Sequence, residues 1–221
     1  MEVLNADKIR QNFMLQSFSH YTQLLGCYKT KVDHKIEVFN VEILYVSRFP
    51  SRSRTTQDVL DALEGDDEGV KPAKEHYHGC VQYVQNGVSQ MALIFGSSLM
   101  ISVMEHDCTF VFADATFHTA PKPFVQVFNI LVSYKGVVLP IFHILMTSKH
   151  YGLYKAIFDR LAEQFPHFRP TFTNTDFEGA LIKTIRLTFP TAVINGCWFH
   201  YAKAVLRAIY GASEYIFLTL F

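Results

Sequence analysis

The chain has 221 residues, 49% of them apolar and 18% charged, a composition that can bury a sizeable core and excludes a disordered tail. Twenty basic and twenty acidic side chains cancel at a pI near 7.1, so any affinity for nucleic acid or membrane must come from a local patch and not from an overall field. The balance is uneven: residues 1–113 hold 10 basic and 14 acidic side chains and residues 114–221 hold 10 and 6, which directs the search for a phosphate-facing surface to the second half.

In chain order, the start Met1-Glu2-Val3-Leu4-Asn5 lacks the basic-then-apolar pattern of a secretory leader. Lys35 to Val46 alternates polar and apolar residues, the period of a half-buried strand. Ser47 to Lys74 then breaks the pattern, with Arg48, Arg52 and Arg54, the acidic run Glu64-Gly65-Asp66-Asp67-Glu68-Gly69, and prolines at 50 and 72. This stretch reads as a linker or long surface loop holding a short helix at Thr56–Glu64, capped by Thr55 or Thr56. A domain boundary is expected between 65 and 75, separating a small α/β region, 1–75, from a second domain, 76–221.

His76, His78 and Cys80 form a His-x-His-x-Cys run whose alternate residues would share one face of a strand and so offer metal donors. Further on, Thr109–Asp114, Phe124–Tyr134 and Val137–Met146 read as three strands joined by short connections, an antiparallel meander whose first strand ends in an acid. The longest apolar stretch, Phe124 to Met146, is broken by Gln126, Asn129, Lys135 and His143 and is no membrane span. Tyr151, Tyr154, Ile157, Phe158, Leu161 and Phe165 then recur at helical spacing. Thr171–Asp176 is a second strand ending in an acid, Phe177–Phe189 a helix, Ala192–Cys197 a short strand, and a last helix opens near Trp198. The order β-β-β-α-β-α-β-α predicts an α/β fold with a mixed sheet covered by helices. The aromatic side chains Phe117, Phe124, Phe128, Phe142, Phe158, Phe172, Phe177 and Phe189 are assigned to its core.

Four cysteines without repeating spacing argue against an extracellular disulfide framework, and the chain reads as a soluble intracellular protein.

The two strand-terminal acids carry the chemistry. A right-handed crossover through the helix near 150–165 should lay the second acid-bearing strand beside the first, in parallel. Strands are about 4.8 Å apart, so Asp114 and Asp176 could share a magnesium ion at about 2.0–2.1 Å per oxygen. Two such ions, about 3.5–4 Å apart, would activate an attacking oxygen and stabilise a leaving one in phosphodiester displacement. Both acids also suit turns, and Asp176 precedes a helix. Lys183 with Arg186, and Lys203 with Arg207, place positive charge a turn apart on two helices and are candidate DNA contacts or solvated faces. Cys197 and His200 supply half of a tetrahedral zinc site or a buried structural pair. Glu178 is a candidate outer metal group or a helix-terminus charge.

Asp114-Ala115-Thr116-Phe117, Pro121-Lys122-Pro123-Phe124-Val125-Gln126, the Tyr151…Tyr154 helix, Thr175-Asp176-Phe177-Glu178 and Gly196-Cys197-Trp198-Phe199-His200 resemble, in order and spacing, the transposase domain of Mutator-like elements (MULE). The resemblance spans about 90 to 210 and implies an RNase H-like fold of the DDE class, with three antiparallel strands followed by parallel ones and flanking helices. It implies Asp114 and Asp176 as the first two catalytic acids holding Mg²⁺ or Mn²⁺, and Cys197 and His200 as the family's Cys-x-x-His pair. It further implies metal-dependent DNA cleavage and strand transfer, a nuclear location, transposon-end DNA as partner, and compatibility with a homo-oligomer. The family's third acid, a Glu on a later helix, lies beyond a long helical insertion. Here 21 residues follow His200 and their sole acid is Glu214, so an incomplete catalytic domain is expected. The alternative expectation is a non-catalytic DNA- or protein-binding remnant or domesticated fragment.

Overall fold

A computed structural model describes residues 55–66, 70–106, 108–116, 120–135 and 137–210. The strand read at 35–46, the arginines at 48, 52 and 54, Phe117 and Glu214 lie outside the described residues. The chain divides into two compact units: Glu42–Gly196, and a second that includes Cys197–Phe221.

The first unit is built on a seven-stranded sheet of β1 (Tyr77–Gln85), β2 (Val88–Gly96), β3 (Phe110–Thr116), β4 (Gln126–Tyr134), β5 (Val137–Met146), β6 (Phe172–Thr175) and β7 (Val193–Gly196), in the order β1-β2-β5-β4-β3-β6-β7. Neighbours from β1 to β3 are antiparallel, and β3-β6-β7 are parallel. The meander, the parallel return and the α/β class agree with the sequence reading. The structure adds the β1–β2 hairpin on the β5 side, closed by Asn86 and Gly87 with φ of 49° and 77°. Asn-Gly supplies the positive φ that such a turn demands.

Helices cover both faces. On one, α3 (Ser98–His106), α4 (Tyr151–Gln164) and α5 (Gly179–Thr188) bury Ile101, Met104, Leu153, Ile157, Phe158, Leu181 and Ile185 against Val111, Ala113, Phe128, Ile130, Phe142 and Ile144. His150 caps α4 by accepting the Gly152 N–H on Nδ1 at 3.1 Å, and its ring stacks on Tyr83. Gly152 suits this place, because a Cβ would come within 2.1–2.5 Å of three Tyr83 ring atoms.

On the other face, α1 (Thr56–Glu64) and α2 (Lys71–Lys74) pack Val59, Leu60, Leu63 and Ala73 onto Met91, Leu93, Val127 and Leu145. Thr55 caps α1 in a reciprocal box: its Oγ1 accepts the Asp58 N–H at 3.2 Å, and Asp58 Oδ2 accepts the Thr55 N–H at 2.7 Å. The helix read inside the linker is therefore part of the sheet's own core, and its apolar stripe is the reason.

Two readings change. The His-x-His-x-Cys run does not share a face: a bulge between Tyr77 and Gly79 turns His78 toward Phe142 and Phe165 while Cys80 packs with the α1 side of the sheet. Burial there pushes the Cys80 thiol up to about 11, with Glu64 adding to the rise, which favours an uncharged thiol. Phe177 is 56% exposed and precedes α5, which begins at Gly179, so it is not a core residue.

In the second unit, α6 (Trp198–Tyr210) is the last described helix, with Trp198 and Tyr201 in tilted ring contact at 5.4 Å. No helix among the described residues is long and apolar enough to cross a membrane.

Candidate active site

The site is set by strand register. Along β3, residues alternate between Val111, Ala113 and Ala115 in the core and Phe110, Phe112, Asp114 and Thr116, which face the other way. In the parallel β3–β6 ladder Phe110 pairs with Phe172 and Ala113 with Thr175. Asp114 is the next residue on β3 after the last pair of that ladder, and Asp176 is the first residue after β6. Chain return through α4 brings them together across 62 positions of sequence.

Each acid has polar neighbours. Asp114 pairs across β4 with Asn129, and Asn129 pairs across β5 with His143, so three polar residues lie in one row on one face. His143 Nδ1 is 2.6 Å from Asn129 Oδ1. Burial holds the His143 imidazole down at about 4, leaving it neutral near pH 7. Asp114 is half-buried, with Oδ1 shielded from solvent.

Asp176 Oδ1 accepts the backbone N–H of Glu178 at 3.1 Å. Glu178 is the N-cap residue of α5, but its carboxylate makes no capping bond; instead Oε2 accepts the Tyr154 hydroxyl at 3.3 Å. Burial first, and the Asp176 charge second, raise the Glu178 pKa, opposed by the Lys149 charge and the Tyr154 hydrogen bond. The Tyr154 hydroxyl is raised by burial, with Glu178 and Asp176 adding and Gln126 opposing.

Asp114 on β3 and Asp176 just after β6 offer the hard carboxylate oxygens that magnesium takes, an ion that completes its shell with waters and substrate oxygens. Among the described residues no group of three or more His, Cys, Asp or Glu stands together as a ready ligand set.

The other sequence candidates fall elsewhere. Cys197 immediately precedes α6, its carbonyl accepts the Tyr201 N–H at 3.0 Å, and His200 lies in the first turn, where i and i+3 side chains share a face. Both belong to the second unit. Lys183 and Arg186 are exposed on α5, with Lys183 Nζ 4.5 Å from the centre of the Tyr151 ring. Arg207 is exposed on α6, and the Lys203 side chain lies outside the described ones.

Over residues 110–204 the chain matches the MULE transposase domain. The matched segment runs from the first residue of β3 into α6 and contains Asp114, Asp176, Cys197 and His200. No curated protein matches the chain.

The sequence reading missed Asn129, His143, Gln126 and Tyr154 as site residues. Three of them interrupt the Phe124–Met146 apolar stretch, which is the signal that exposes them, because a polar side chain inside a buried strand costs free energy unless it is hydrogen-bonded.

Proposed function

We propose that this MULE transposase domain uses Asp114 and Asp176 to hold Mg²⁺ or Mn²⁺ for phosphodiester chemistry on DNA. The observation that carries the reading is the parallel β3–β6 register, whose last pair, Ala113–Thr175, immediately precedes both acids in sequence. The order β5-β4-β3-β6-β7, with an antiparallel meander, a central acid-bearing strand and two parallel strands, supports an RNase H-like core. When bound, such a cation polarises the phosphodiester and lowers the pKa of a coordinated water.

The chain's own contribution is to fix the donors. Strand β3 presents Asp114 from a rigid ladder, and the turn after β6 orients Asp176 through the Glu178 amide. Exposed Lys183 and Arg186 are proposed to contact DNA phosphate; Lys203 and Arg207, on α6 of the other unit, are proposed as separate DNA contacts. The substrate class is transposon-end DNA, which assigns the protein to the nucleus. Cys197 and His200 are proposed as an ordering pair for α6, or two ligands of a zinc site.

Calorimetric titration with Mn²⁺ tests the reading. Wild-type protein should bind, and Asp114→Ala and Asp176→Ala should each weaken binding at least about tenfold, since each removes one of few protein ligands. Equal binding in all three ends the catalytic interpretation and leaves a DNA- or protein-binding module.

A further inference from the structure

Gln126 is 0% exposed on the core face of β4, among Phe128, Met146 and Tyr154. A buried amide costs free energy unless it is hydrogen-bonded, and of the Gln126 amide only the Nε2 side is met, Oε1 having no partner among the described residues. Its Nε2 donates to the Tyr154 hydroxyl at 2.8 Å and approaches Met146 Sδ at 3.0 Å. Because the Tyr154 oxygen accepts from Gln126, its single proton points away, to Glu178 Oε2. The Glu178 N–H in turn donates to Asp176 Oδ1. Three hydrogen bonds thus run from β4, through the buried face of α4, to the second acid, and the two side-chain donors point toward the carboxylates. Chains aligned in this way polarise one another.

We propose that Tyr154, oriented by Gln126, is a positioning residue for Asp176. By anchoring the Glu178 carboxylate it fixes the backbone N–H that engages Oδ1, and so leaves the second Asp176 oxygen for the cation. Tyr154 also packs edge-on against Phe128 at 5.2 Å, and its helical spacing alone reads as core; the hydroxyl is the part that packing does not explain. The inference rests on the carboxylate-pair reading above, and its test carries a readout independent of metal.

The full chain is compared with Tyr154→Phe, Glu178→Gln and Asp176→Ala by two measurements: amide hydrogen exchange at Glu178 in metal-free protein, and Mn²⁺ titration. Tyr154→Phe keeps the ring and removes the hydroxyl. It should speed exchange of the Glu178 amide about tenfold while amides within α4 keep their protection, and weaken Mn²⁺ binding about tenfold. Glu178→Gln retains an oxygen that accepts the Tyr154 proton and retains the backbone N–H, so it should stay within about twofold of wild type in both. If Tyr154→Phe fails to fold, Gln126→Leu takes its place, with the same direction expected.

Unchanged Glu178 exchange in Tyr154→Phe overturns the proposal, as does unchanged Mn²⁺ affinity where Asp176→Ala abolishes it. Loss in Glu178→Gln equal to that in Tyr154→Phe also overturns it, making Glu178 a ligand in its own right. Should Asp176→Ala bind Mn²⁺ like wild type, the carboxylate-pair reading fails, and Glu178 exchange alone decides the positioning role.

Discussion

Asp114 and Asp176 each follow directly on the Ala113–Thr175 pair, the last of the parallel β3–β6 ladder. Two like charges in directly opposed positions destabilise a sheet by up to about 1 kcal/mol. In metal-free protein, Asp114→Asn is therefore expected to leave stability unchanged or raise it by up to about that amount. Added Mg²⁺ at about 100 times its dissociation constant should stabilise wild type by about 2.7 kcal/mol, and the variant by far less. Thermal melts with EDTA and with Mg²⁺ check both signs. A destabilised variant in EDTA would show that Asp114 supports the fold and is not held at a cost for binding.

His143 gives a pH dependence with a definite sign. Its folded pKa, about 4, lies below the ordinary 6.5 because burial penalises the charged ring. The stability tied to the neutral imidazole is fully present above about pH 6.5 and is lost as pH falls toward 4, by at most about 3 kcal/mol. Glu178, raised by burial and by Asp176, acts in the opposite sense, since its folded state favours the protonated acid. Denaturant unfolding at pH 7 and pH 4.5 should show a larger loss in wild type than in His143→Gln. Equal losses would place the acid sensitivity elsewhere.

Much of this arrangement can be read in the residues. The change from period two to helical spacing at Tyr151 marks α4 to within a residue or two, and the parallel return of β6 beside β3 follows from a right-handed crossover, although β3 runs two residues past Asp114 and β6 stops one short of Asp176. The β1–β2 hairpin is harder: Asn86-Gly87 signals its turn, but the bulge at Tyr77 and Gly79 disrupts alternation in β1, and Met91 to Ile94 in β2 are buried on both faces and form an unbroken apolar run. The Tyr154–Glu178 bond is a different case. It joins residues 24 apart on two elements, and no local period encodes a contact that exists only once α4 and the β6 turn are packed.

Gly152 and Tyr83 make a steric prediction. Since a Cβ at 152 would sit 2.1–2.5 Å from three Tyr83 ring atoms, Gly152→Ala must displace that ring from its stack on His150. The expected cost is about 1–3 kcal/mol, the range for overpacking a filled site. Most of it should be recovered in Gly152→Ala with Tyr83→Leu, as coupled neighbours require. Additive losses in the double variant, measured by denaturant unfolding, would show that backbone conformation and not the ring sets the cost.

The α1 helix provides the last test. Leu63 is 4% exposed and lies with Val59 and Leu60 in the cluster that covers Met91, Leu93, Val127 and Leu145. If α1 and the sheet share one core, Leu63→Ala should cost on the order of 2–4 kcal/mol and lower the unfolding midpoint of the sheet itself. Thr55→Ala, which removes the cap, should cost about 1 kcal/mol by the same route. Hydrogen exchange at β4 and β5 separates this from a segment that merely rests on the sheet. In a shared core, both variants reduce protection of the slowest amides in β4 and β5 by the global amount; in an independent segment, only α1 amides change.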